Sequence, residues 1–114
     1  MAGFHCIVCD QGATLDVSLT YLDSDGAAVN LSGYTARMQV RTEVTAATAA
    51  LTLTTENGRI TLGGAAGTVA LTVPAIDTAA VAAGEYVYDL ELVTGARVVR
   101  LIEGSLVVRA EVTR

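Results

Sequence analysis

The chain has 114 residues, enough for one domain and for a core that needs neither a metal nor a set of disulfide staples. Hydrophobic residues make up 52% and charged residues 17%, with a single proline, which excludes a disordered tail, a collagen-like repeat and a coiled coil. The formal net charge is −5 and every basic residue is an arginine, which disfavours a general nucleic-acid binder and suits each cation to planar pairing with a carboxylate.

The opening stretch, MAGFHCIVC, has no basic start and no apolar run of secretory length, and nowhere does the chain reach the ~18–20 apolar residues of a membrane span. The expectation is a protein made in a cytoplasm that stays soluble until it assembles, with no membrane and no nucleic acid as partner. Residues 1–10 read as an N-terminal arm or an edge strand. Cys6 and Cys9 form a C-x-x-C without a second pair, and the single histidine, His5, lies beside Cys6. Extended backbone puts positions i and i+3 on opposite faces about 10 Å apart, too far for an intrachain bridge. Structural thiols are the first reading; an intersubunit disulfide and a metal site shared between copies are the others.

Alternation of apolar and polar residues then recurs along the chain, as half-buried strands require. Leu15, Val17, Leu19 and Tyr21 set the first run, and Tyr34, Ala36, Met38 and Val40 the second. Leu51 and Leu53 lie among threonines, Val69, Leu71 and Val73 follow, and Tyr86, Tyr88, Leu90 and Leu92 make the longest run. Turn chemistry separates them at Asp23-Ser24-Asp25-Gly26, Leu31-Ser32-Gly33, Glu56-Asn57-Gly58, Gly63-Gly64, Thr94-Gly95 and Glu103-Gly104. Residues 42–50 read as a loop or ragged edge. Residues 75–83 read as a short helical turn, capped by Asp77 or Thr78 and ended by Gly84. A tyrosine opening the next strand fits either simple packing or the corner of an immunoglobulin-like sandwich, where its hydroxyl bonds upstream backbone.

Few side chains suggest chemistry. Asp23-x-Asp25-Gly26 resembles part of a calcium loop, but Tyr21 and Ser32 occupy the positions where the outer ligands belong, so a plain turn is expected. Gly63-Gly64-Ala65-Ala66-Gly67 lacks a phosphate-loop lysine and precedes a strand. No His–carboxylate–Ser set has supporting spacing, and no enzyme activity, catalytic residue or cofactor is expected. Arg37 and Arg41 share the polar face of one strand and Asp89 and Glu91 that of another. They are expected to form cross-strand pairs or else a solvated charged face. Val98–Ile102 and Leu106–Val112 are apolar on both faces. They read as a terminal hairpin that is either covered on both sides within the domain or in contact with another copy, with Val99, Leu101 and Val107 as contact candidates beside Arg37 and Arg41.

Taken together, Gln11–Thr14, Tyr21–Gly26, Val29–Arg41, Gly84–Leu92 and Glu103-Gly104 resemble small virion proteins of tailed bacteriophages. The pattern is similar to the immunoglobulin-like N-terminal domain of baseplate upper proteins, and the resemblance spans nearly the whole chain through fold motifs rather than catalytic ones. It implies an all-β, immunoglobulin-like antiparallel sandwich over residues 1–114. It also implies a multi-copy adaptor or connector in tail, baseplate or neck, whose partners are other virion proteins and copies of itself. Capsid decoration and a carbohydrate-binding sandwich are the alternatives. Cys6 and Cys9 depart from the pattern.

Overall fold

The structure is a computed structural model, and it describes residues 3–112. It is mostly β. Nine strands run β1 Gly3–Phe4, β2 Ile7–Asp10, β3 Leu15–Thr20, β4 Thr35–Arg41, β5 Leu51–Thr54, β6 Ile60–Leu62, β7 Thr68–Val73, β8 Gly84–Thr94 and β9 Arg97–Arg109. A 3-10 turn covers Gly64–Ala66 and one short helix, α1, covers Ala75–Ala79.

The strands form two sheets. The larger is a curled sheet in the order β9-β8-β4-β5, with β1 and β2 end to end along the free side of β9. The smaller has the order β3-β7-β6. Their inward residues share one core: Ala36, Met38, Val40, Leu53, Tyr86, Leu90, Leu92 and Leu106 from the first, Leu15, Ile60, Val69, Leu71 and Val73 from the second. Burying each such aliphatic side chain is worth about 1.5–3 kcal/mol. The period-2 pattern is therefore the cause of the fold, since one face of every strand must leave water.

The expectation of a wholly antiparallel sandwich is corrected at one edge. β1 and β2 pair with β9 in parallel, Phe4 beside Glu103 and Ile7 beside Leu106, so the sheet is mixed. The chain enters along this edge, turns at Gln11–Thr14 and crosses to the other sheet as β3. Residues 3–10 are an edge strand in two pieces.

The terminal hairpin is also corrected. No turn occurs at Glu103-Gly104; β9 runs unbroken through both residues and hairpins with β8 through the Thr94–Arg97 turn. Gly104 is needed for space. A Cβ there would collide with the His5 carbonyl oxygen and lie 2.9 Å from the carbonyl carbon. Tyr88, directly opposite Gly104, extends its hydroxyl to donate to that same His5 carbonyl at 2.7 Å. Burial, with the neighbouring Cys6 adding to it, pushes the Tyr88 phenol up to about 12.

A register shift explains why this segment looks apolar on both faces. Leu90 lies opposite Ile102 but Glu91 lies opposite Arg100, so Leu101 is an extra residue on β9. Inward positions are odd before the bulge (Val99) and even after it (Ile102, Leu106, Val108). Val99 and Leu101 both pack against the core.

The helical turn is shorter than the expected 75–83. Extended Pro74 occupies its N-cap, and Asp77 and Thr78 lie inside it. Thr78 is instead a buried tie: its hydroxyl accepts from the Gly12 N–H at 3.1 Å and lies within donating reach of the Ala13 and Ala75 carbonyls, 2.8 and 3.0 Å. Gln11 adds a second tie, donating to the Val81 carbonyl and accepting from the Glu111 N–H. Between them these side chains fix the turn that carries the chain from one sheet to the other. The Asp23 turn is a plain one, with Asp23 Oδ1 accepting from the Asp25 and Ala27 N–H groups.

Candidate functional site

On the outward face of the larger sheet, several polar and apolar side chains converge around a concavity. Cross-strand pairing sets its rows. Cys6, Ser105, Val87 and Arg41 form one row; Phe4, Glu103, Asp89, Gln39 and Thr52 form the next; Arg100, Glu91, Arg37 and Thr54 form a third. Curling of the sheet makes this face a groove of about 610 Å³. Phe4 from the edge strand and Val44 from the β4–β5 loop stand on its rim, 78% and 83% exposed. A shallower depression of about 350 Å³ shares Gln39, Asp89 and Glu91 and extends the groove toward β5.

The groove floor is held by charge. Arg37 Nε donates to Glu91 Oε1 at 2.8 Å, as expected for one of the cross-strand pairs. With Arg37 more than half exposed, such a pair contributes only ~0.2–1 kcal/mol. Arg41 departs from the expectation. Its guanidinium donates to the Ala46 carbonyl at 2.8 Å and to Gln39 Oε1 at 2.7 Å, so it braces the 42–50 loop that carries Val44. Asp89 takes its cation from β9 instead, with Arg100 Nε at 3.5 Å. Asp89 also faces Glu103 directly across the strands, a like-charge pairing that the Arg100 guanidinium offsets.

The other contact candidates divide between the faces. Val107 is half-buried on the outward face beside Val8, whereas Val99 and Leu101 belong to the core side. Sequence reasoning missed Phe4 and Val44. An exposed phenylalanine at the start of a chain carries no local signal, and Val44 lies in a stretch with no period. It also missed the Arg59–Asp77 and Arg109–Asp10 pairs, both 2.7 Å. The Arg109 hydrogen bond holds the Asp10 carboxyl below its ordinary value of 3.8.

The two cysteines lie on opposite sides of the edge strand, as extended backbone dictates. Both are free thiols; Cys9 is wholly buried in the core and Cys6 is exposed, 3.3 Å from Ser105 Oγ. Burial, and to a lesser extent Asp10, pushes the Cys9 thiol up, so its reactive thiolate is suppressed. Among the described residues no group of three or more histidine, cysteine or acidic side chains is placed to hold a metal ion. Also among the described residues, no helix is long and apolar enough to cross a membrane.

The arrangement is suited to holding a surface. Arg37, Glu91, Arg41, Asp89 and Arg100 are engaged with one another, with Gln39 or with backbone, and the exposed Phe4 and Val44 are on the rim. Compared with known protein families and with curated protein sequences, the chain matches none.

Proposed function

We propose that this chain is a structural module of a tailed-bacteriophage particle, present in many copies in tail, baseplate or neck, and that it works by protein–protein contact. The single observation behind the contact reading is the groove between Phe4 and Val44. Two large apolar side chains are almost fully exposed on the rim of a concavity whose floor is already cross-braced. Covering each is worth about 1.5–3 kcal/mol, which a partner surface supplies and solvent does not. The placement in a phage particle rests on the resemblance of the turn and strand motifs.

The finer fold reading, an immunoglobulin-like sandwich, belongs to the same proposal. The strand orders β2-β9-β8-β4-β5 and β3-β7-β6 support it, and so does the Tyr86 hydroxyl, which donates to the Ala82 carbonyl at 2.6 Å just before β8 is under way.

Purified particles of the encoding phage, fractionated into heads and tails and quantified by mass spectrometry, test the assignment. The expected result is a fixed, many-copy stoichiometry in the tail fraction, with Phe4→Glu reducing incorporation of an otherwise folded protein. Recovery with heads replaces the tail placement with capsid decoration. Absence from the particle overturns the reading.

A further inference from the structure

The strand edges of this molecule are unequally protected. β6 offers three residues and β5 four, and the β1–β2 edge is interrupted at His5–Cys6. β3 is different. It is a continuous six-residue edge, paired only with β7 and in unbroken register with it. Natural edges are guarded by charged side chains (lysine above all), proline, bulges or very short length, and of these β3 carries only the single exposed charge of Asp16.

Neighbouring bonds show which of its main-chain groups are free. The Thr72 N–H donates to the Arg59 carbonyl at 2.8 Å and the Gly63 N–H to the Thr68 carbonyl at 2.9 Å. Even-numbered β7 residues therefore bond toward β6, and Val69, Leu71 and Val73 bond toward their β3 partners Leu19, Val17 and Leu15. The Tyr21 N–H, donating to the Gly67 carbonyl at 2.8 Å, continues the same alternation. Asp16, Ser18 and Thr20 are left presenting both their N–H and C=O groups to the open side, and all three are exposed.

Side chains point the same way. Leu15 is buried, whereas Val17 and Leu19, on the same inward face of this edge strand, are half-buried.

We infer that β3 pairs antiparallel with β3 of a second copy, across a two-fold axis at Ser18, and joins the two small sheets into one. Centring the axis there makes Ser18 face Ser18, Asp16 face Thr20 and Val17 face Leu19 of the other copy. Every free main-chain group of Asp16, Ser18 and Thr20 then gains a partner. The one charge on the strand meets a hydroxyl instead of its own copy, and the half-buried Val17 and Leu19 are covered. This rests on the contact-module reading above and names one of the partners.

Sedimentation velocity of the intact chain, from micromolar to millimolar concentration, tests the pairing. The expected result is a reversible dimer that Ser18→Pro weakens by more than about tenfold, since proline is tolerated where the N–H faces outward but cannot donate across the edge. Ser18→Asp places two carboxylates at the axis and is expected to weaken the dimer in a way that added salt relieves. In a Cys6→Ser background, Ser18→Cys is expected to give a disulfide-linked dimer on mild oxidation, because opposed residues lie ~5.5 Å apart at Cα. A monomer throughout that range, or a dimer that both Ser18→Pro and Ser18→Asp leave intact, overturns the inference. A monomer that is still incorporated into tails would leave the parent reading standing; a dimer absent from particles would do the reverse.

Discussion

Gly104→Ala tests the least expected part of the fold, the crossing of the N-terminal edge strand over a glycine in mid-strand. Gly104 has ordinary extended backbone, so the substitution adds no conformational strain and a small gain in strand propensity. Its whole cost is steric. The new methyl would collide with the His5 carbonyl oxygen, with the His5 carbonyl carbon at 2.9 Å and its nitrogen at 3.2 Å. These are backbone atoms, which cannot rotate away as a side-chain tip does. His5 must move, and two bonds are tied to it: the Tyr88 hydroxyl to its carbonyl at 2.7 Å and its own N–H to the Glu103 carbonyl at 3.0 Å. Overpacking of this kind costs about 1–3 kcal/mol and a lost hydrogen bond about 0.5–1.5, so the expected destabilisation is about 2–4 kcal/mol.

Urea unfolding of wild type, Gly104→Ala, Tyr88→Phe and the double variant measures both the size and the coupling. Tyr88→Phe alone is expected to cost about 1 kcal/mol, and clearly less when Gly104→Ala has already displaced the acceptor. Amide exchange at Ile7 and Cys9 is expected to quicken in Gly104→Ala, because the strand they belong to is the one pushed off β9. A Gly104→Ala protein within about 0.5 kcal/mol of wild type, or strictly additive costs in the double variant, would refute the account of why this glycine is here.

Three further outcomes concern Thr78, the two cysteines and Tyr88. Thr78→Val keeps the shape but strands the Gly12 N–H and the Ala13 carbonyl; equilibrium unfolding is expected to show a loss of about 1–3 kcal/mol. A thiol reagent is expected to titrate Cys6 promptly in the native protein and Cys9 only on unfolding, and equal rates would contradict the burial of Cys9. The folded protein keeps the Tyr88 proton to about 12, whereas an unfolded tyrosine releases it near 10. Between those values the unfolded state binds fewer protons. Stability therefore falls as pH rises, by at most ~1.4 kcal/mol per pH unit, and Tyr88→Phe is expected to remove that slope from unfolding curves measured across this range.

Much of this fold is legible in local alternation, because period 2 is imposed by the pleat and needs no knowledge of partners. The runs at Leu15, Ala36, Leu51, Val69 and Tyr86 all became strands with their apolar residues inward. What escaped is long-range. Parallel pairing of β2 with β9 joins residues at opposite ends of the chain, and nothing near Ile7 announces Leu106. Thr78 looks like a helix cap because threonine usually is one, and only the arrival of Gly12 and Ala13 makes it a tie between segments. The groove was half visible: Arg37 with Glu91 follows from strand neighbourhood, but Arg41 found a loop carbonyl that its own strand could not predict.

The final strand shows how one irregular residue can mislead a periodicity argument and alter a functional inference. Read without a bulge, the apolar residues from Val98 to Val108 must fill both faces of a sheet, and a surplus of exposed aliphatic area invites a partner there. Insertion of Leu101 changes the parity at that point, so Val99, Ile102, Leu106 and Val108 all serve the same core. What remains outward on β9 is Val98, Arg100, Glu103, Ser105 and Val107, a mixed and largely polar row. The strand that looked most suited to assembly is therefore mostly spent on folding. Apolar and main-chain groups left exposed after folding lie elsewhere, among them Phe4 and Val44 on the groove rim and the unpaired edge of β3.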